Sequence, residues 1–111
     1  MAVAIKLKDD NATVIAQSTG NEAALLLEGS WYFSAEQVDF TYLKKTDHIY
    51  KCPYKGIAHW YNLEAPNMSA KNIAWVYENP QDGYEHIAGR IGFYERETSV
   101  TVSEKVDEAM A

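Results

Sequence analysis

Along most of this chain the hydrophobic residues recur at every second position, in short runs broken by Gly, Pro, Asn and Asp. A period of two sends alternate side chains to opposite faces of a strand. The chain therefore has to fold as half-buried strands joined by turns. In "AVAIKLK", Val3, Ile5 and Leu7 share one face and Ala4, Lys6 and Lys8 the other. Asp9-Asp10-Asn11 reads as a turn, because these side chains bond their own loop and tolerate left-handed backbone. "TVIAQS" then returns as the second arm of a hairpin. "VDFTYL" alternates with Val38, Phe40 and Tyr42 on one side, and "HIYKC" groups His48, Tyr50 and Cys52. Pro53-Tyr54-Lys55-Gly56 turns the chain into "IAHWYNLE", which sets Ile57, His59, Tyr61 and Leu63 against Ala58 and Trp60. Beyond a polar loop near Ala65-Pro66-Asn67, "NIAWVYE" aligns Ile73, Trp75 and Tyr77. After the long turn "NPQDG", "RIGFYE" and "TSVTVS" read as closing strands.

Helical signals are local. "SAEQV" has Ser34 as an N-cap with Gln37 three residues on, and "YEHIAG" makes one turn ended by Gly89. "NEAALLLEG" fits either a short helix capped by Asn21 and closed by Gly29, or a buried strand. A chain of 111 residues fits one domain. The expectation is an all-β domain of short antiparallel strands with one or two helical turns, over residues 1–103. Residues 104–111 read as a polar tail, helical or frayed.

The formal net charge of −6 argues against a nucleic-acid backbone as partner, since phosphate needs a basic face. The local basic cluster, Lys44-Lys45 with Lys51 and Lys55, reads first as a solvated strand edge. One cysteine excludes an internal disulfide framework and a multi-cysteine zinc site. Neither a signal segment nor a membrane-length apolar run is visible, so a soluble, cytoplasmic protein without a membrane partner is expected.

One block is more specific. Leu27-Glu28-Gly29, Tyr32-Phe33, Glu36 and Val38 are followed by Cys52-Pro53-Tyr54-Lys55-Gly56-Ile57-Ala58. Ala74-Trp75-Val76-Tyr77 with Pro80 comes next, and then Ile87-Ala88-Gly89-Arg90-Ile91-Gly92-Phe93. In this order, over roughly residues 3 to 100, the chain resembles domain-of-unknown-function family 427. The resemblance implies a β-tent-like fold, of the type found in class B methionine sulfoxide reductases and some small zinc proteins. It also resolves "AALLLEG" as strand. The paired CxxC zinc ligands of many β-tent relatives are not matched here, and a single thiol has no resolving partner for reductase chemistry. A nucleotidyltransferase-like label attached to the family finds Gly29-Ser30 and Asp39. It lacks the second carboxylate of an Asp-x-Asp pair, because position 41 is Thr. No metal and no cofactor are expected.

Site candidates collect around residues 50 to 56. Cys52 has Lys55 and His48 near enough to depress a thiol pKa, though a cysteine packs equally well as a small apolar group. Lys55, flanked by Tyr54, suits either an anion or a cation–π contact. The aromatics Trp31, Tyr32, Tyr50, Tyr54, Trp60, Trp75, Tyr77 and Tyr94 exceed what so small a core holds without polar partners, so some are expected to line a concave surface. His59 and His86 have no ligand-like spacing. The expected site is a cleft beside the Cys52–Gly56 turn, formed by Tyr50, Cys52, Tyr54, Lys55, Trp75 and Tyr77, that takes a small anionic or polar ligand. Two other readings stay open: an interaction or homodimerising module, and an enzyme using Cys52 or Lys55.

Overall fold

The computed structural model describes residues 2–19, 21–94 and 100–106. In chain order the strands are β1 (Ala2–Leu7), β2 (Val14–Gln17), β3 (Leu25–Leu27), β4 (Ser30–Phe33), β5 (Leu43–Cys52), β6 (Gly56–Glu64), β7 (Ser69–Tyr77), β8 (Ile91–Tyr94) and β9 (Thr101–Val106). They form two sheets, ordered β2-β1-β9 and β3-β4-β8-β7-β6-β5. Every pairing is antiparallel. Helical structure among these residues is confined to single 3-10 turns at Ala35–Gln37 and Glu85–Ile87. The all-β expectation holds, with both helical turns where the sequence placed them.

The alternating pattern explains how the layers meet. Val3, Ile5, Leu7 and Ile15 of the small sheet pack against Phe33, Tyr61, Leu63, Val76, Ile91 and Phe93 of the large one. Each large apolar side chain buried there contributes roughly 1.5–3 kcal/mol. The opposite face of the large sheet carries a second cluster of Tyr32, Cys52, Ala58, Trp75, Tyr77 and Ile87. Among the described residues no second sheet covers this face. Ile87, fully buried, reaches it from the 3-10 turn after β7, and Tyr84 packs beside it.

Local chemistry decides the connections. Thr13 donates its N–H and its hydroxyl to the Asp9 carboxylate, closing the β1–β2 turn. Gln37 Oε1 accepts the Ser34 N–H at 3.2 Å, one half of the expected capping box. Within "AALLLEG", Leu25–Leu27 is strand β3 and not helix, in the sense the family resemblance implies. Leu25 pairs with Tyr32 and Leu27 with Ser30.

Three sequence expectations need correction. "VDFTYL" is not a strand. Only Val38 makes a bridge, to Ala16, and the Asp39 carboxylate accepts both the N–H and the hydroxyl of Thr41. That local turn competes with ladder pairing and leaves Phe40 exposed. Ile73 packs in the cluster between the sheets and not with Trp75 and Tyr77. β7 carries two more residues than β6 across the register shift between Tyr61 and Leu63, with Asn72 left-handed at φ +57°. At the C-terminal end, β9 continues to Val106, pairing Glu104 with Ala4 and Val106 with Ala2, so residues 104–106 are strand. The expected start of the closing strand at Thr98-Ser99 and the tail beyond Val106 lie outside the described residues.

Candidate functional site

The uncovered face of the large sheet is built from two cross-strand rows. Tyr50 pairs with Ala58, and Ala58 with Tyr77. One step along, Trp60 pairs with Trp75, Trp75 with Gly92, and Gly92 with Tyr32. In each row a small residue separates large aromatics, so the middle of the face is low and its flanks are high. The rings meet at steep angles. Trp75 lies 5.8 Å from Trp60 at 76°, 5.0 Å from Tyr94 at 60° and 6.1 Å from Tyr32 at 82°, centroid to centroid. Edge-to-face contacts of this kind fix ring orientation. The Trp75 indole N–H donates to the Tyr32 hydroxyl at 3.1 Å, so both buried polar atoms are satisfied.

The result is a cleft of about 330 Å³. It is lined by Leu27, Glu28, Ser30, Tyr32, Tyr50, Lys55, Ala58, Trp60, Trp75, Tyr77 and Tyr94. Lys55, Trp75, Tyr77 and Tyr50, all candidates from the sequence, are brought together on its wall. Tyr54 is not. It is 71% exposed, turned to solvent by the Pro53–Gly56 turn, and the wall expected from it is supplied by Trp60 and Tyr94. Cys52 sits in the same cluster, behind the wall rather than on it.

Among the described residues, Lys55 holds the one positive charge on that wall. Its side chain is 12% exposed, and its ammonium donates to Glu28 Oε1 at 3.1 Å. The ammonium also lies 5.8 Å from the centroid of the Tyr84 ring, within cation–π range. Burial works against the charged form, but the Glu28 hydrogen bond and charge outweigh it and hold Lys55 above the ordinary lysine value. Glu28 comes from the β3–β4 turn. Glu28 and Gly29 both have left-handed backbone (φ +52° and +78°), the geometry of a tight two-residue hairpin. Lys55 comes from the β5–β6 turn. In the sheet, β8 and β7 lie between β4 and β6, so this ion pair bridges two non-adjacent hairpins.

Beneath Lys55, its own backbone N–H donates to Cys52 Sγ at 3.4 Å. Burial raises the thiol pKa, but the N–H groups of Lys55 and Tyr54 and the Lys55 charge more than offset it, leaving Cys52 below the usual cysteine value. Burial and the neighbouring Cys52 push the Tyr77 phenol far above its ordinary value, and burial also raises Tyr32 against the pull of its Trp75 hydrogen bond. Both phenols are therefore neutral donors or acceptors at physiological pH.

The sequence matches a family described as Domain of unknown function (DUF427) over residues 2–108. The chain belongs to the DUF427 family. No curated protein matches it significantly. Family membership leaves the chemistry of the DUF427 cleft to be read from its own residues. Among the described residues no group of three or more His, Cys, Asp or Glu is placed to hold a metal ion. His59 faces Glu78 at 3.7 Å, and His86 stacks on Tyr84. No helix among those residues is long and apolar enough to cross a membrane.

Sequence reasoning missed Glu28 as a site residue. It lies 27 positions from Lys55 and sits in what reads locally as a plain hairpin turn. Tyr32, Trp60 and Tyr94 carried the general signal of surplus aromatics but no signal of position. Leu27, Ser30 and Ala58 carried none.

Proposed function

We propose that this DUF427 domain binds a small polar or anionic molecule in the aromatic cleft, with Lys55 as its charged anchor. The observation that carries the reading is a lysine whose side chain is only 12% exposed, on the wall of a cavity lined, apart from Glu28, by aromatic, small and aliphatic residues. Long basic side chains on a surface usually keep the charged head in water. Here most of the side chain is covered, so its interaction with a ligand's charge is less screened than at an open surface. The cavity is at the small end of ligand sites, which run roughly 300–1,000 Å³, and it has their composition: apolar walls with few convergent polar groups.

The test is a melting-shift screen of polar metabolites against the parent, Lys55→Met and Tyr50→Ala. Both residues line the cleft; Tyr50 is half exposed, and methionine keeps the length and volume of the mostly covered Lys55 stem, so neither change removes core packing. A ligand of the cleft stabilises the parent and loses that effect in both variants, whose own melting temperatures stay close to the parent's. A hit that stabilises all three proteins equally, or a screen without hits, defeats the proposal.

A second reading rests on a different surface. Tyr54, Ile49 and Ile57, on the hairpin at the open edge of the large sheet, are 71%, 38% and 48% exposed. Exposed apolar groups beside a strand whose outer edge is unpaired among the described residues suit an interaction or homodimerising module. Solution mass measured across a concentration series decides it: a monomer at all concentrations removes the homodimer.

A further inference from the structure

The carboxylate on Lys55 is the chain's own. Glu28 Oε1 occupies the position at which an anionic ligand would meet the ammonium, and the glutamate side chain is 56% exposed where the lysine is 12% exposed. One partner is thus held by the cleft and the other approaches from solvent. The spacing supports a bridging role. Adjacent strands lie about 4.8 Å apart, so the three steps from β4 to β6 span roughly 14 Å. That gap is closed by two extended side chains meeting end to end, which is the least rigid way to close it. Glu28 also stands in left-handed backbone on a two-residue turn, so its carboxylate is held from one side of the cleft without packing.

We propose that Glu28 is a built-in competitor for the ligand's anionic group, and that the cleft takes an aromatic monocarboxylate whose carboxylate replaces that of Glu28 on Lys55. This deepens the binding reading above and rests on it. Three features select the class. The group that now fills the position is a carboxylate on a flexible stem, so Lys55 is already matched to that geometry. Among the described residues Lys55 is the one cation on the wall, which neutralises one negative charge and not the two of a phosphate monoester. The steeply inclined rings of Trp60, Trp75 and Tyr94 offer faces and edges to a flat apolar body. With Glu28 in place the Lys55–Glu28 pair is neutral. A ligand therefore has to supply stacking as well as charge, and simple inorganic anions are disfavoured.

The inference is tested with matched probes, phenylacetate and phenylacetamide, with phenyl phosphate and benzyltrimethylammonium as controls. They are titrated against the full chain while the indole N–H signals of Trp60 and Trp75 are followed by NMR. Glu28→Gln removes the competing charge and keeps the size. Glu28→Gly removes the side chain and relieves the left-handed backbone, which guards against a folding artefact. Both should tighten phenylacetate by about fivefold, the upper range for a partly exposed ion pair. Phenylacetamide should change less than about twofold, because it carries no charge for Glu28 to oppose. Lys55→Met should erase the preference for the acid over the amide. Equal affinity for acid and amide in all the proteins would keep the cleft as a ligand site and overturn this inference alone. So would phenylacetate affinity unchanged by either Glu28 variant, or tighter binding of the phosphate or the ammonium probe. Phenylacetate that leaves both indole signals unmoved in every protein overturns it too.

Discussion

The indole of Trp75 lies directly on the backbone of Gly92. A Cβ placed on Gly92 would stand 2.5 Å from both Cε2 and Nε1 of that ring. Gly92 is paired with Trp75 on one side and with Tyr32 on the other, so the missing side chain is what lets the indole cross β8 and reach the Tyr32 hydroxyl. The low centre of the cleft and the placement of its largest ring thus depend on one absent carbon.

Gly92→Ala should therefore destabilise the domain by about 1–3 kcal/mol, the usual cost of overpacking a site that cannot give way. Denaturant unfolding measures it, and the Trp75 indole N–H signal should shift because its bond to Tyr32 is displaced. Combining Gly92→Ala with Trp75→Phe should cost less than the two changes added together, since the smaller ring leaves room for the methyl group. Strict additivity would show that the close approach is not what Gly92 is there for.

Gly56 makes a different demand. Its φ of +113° is closed to residues with a Cβ, yet a Cβ built there meets nothing nearer than Asn79 O at 3.5 Å, an ordinary contact. The cost of substitution is backbone strain and not crowding. Gly56→Ala and Gly56→Val should then lose similar amounts, each more than about 1 kcal/mol, by the shift of the denaturant midpoint. A valine far worse than the alanine would mean crowding dominates. An unchanged midpoint would mean the turn relaxes freely.

How much of this was legible in the sequence follows from how local each signal is. The period of two assigned both faces of β6 correctly, and the Pro-Tyr-Lys-Gly run located the turn that carries Lys55. Trp75 and Tyr77 fell on the cleft face because residues two apart in a regular stretch of strand share a face. The pattern failed where a side chain rewrote the backbone locally. Asp39 bonding Thr41 ended a strand that alternation alone would have continued, and the left-handed Asn72 moved Ile73 to the other core. Glu28 was invisible as a partner of Lys55, because their meeting depends on the order of six strands, which no local pattern encodes.

The buried phenols give the last prediction. Tyr32, Tyr61 and Tyr77 all have folded-state pKa values raised above 10.0, in each case chiefly by burial. In the unfolded chain they ionise near their ordinary value, so below about pH 10 both states hold the proton and the contribution of these groups is fully present. As the pH climbs from there toward the folded values, the unfolded state releases protons that the native state keeps, and stability falls. Lys55 acts in the same sense, since its raised value means that its pairing with Glu28 is lost as the ammonium deprotonates. The denaturant midpoint should then be flat through about pH 8 to 9 and drop above about pH 10, with part of the tyrosinate absorbance appearing only as the protein unfolds. Tyr77→Phe removes the phenol with the largest upward shift among the described residues, and should leave a shallower alkaline fall even if the variant starts less stable. Tyrosines that all titrate smoothly near pH 10, with no matching loss of stability, would show that water reaches the phenol hydroxyls and that the cleft is more open than its walls imply.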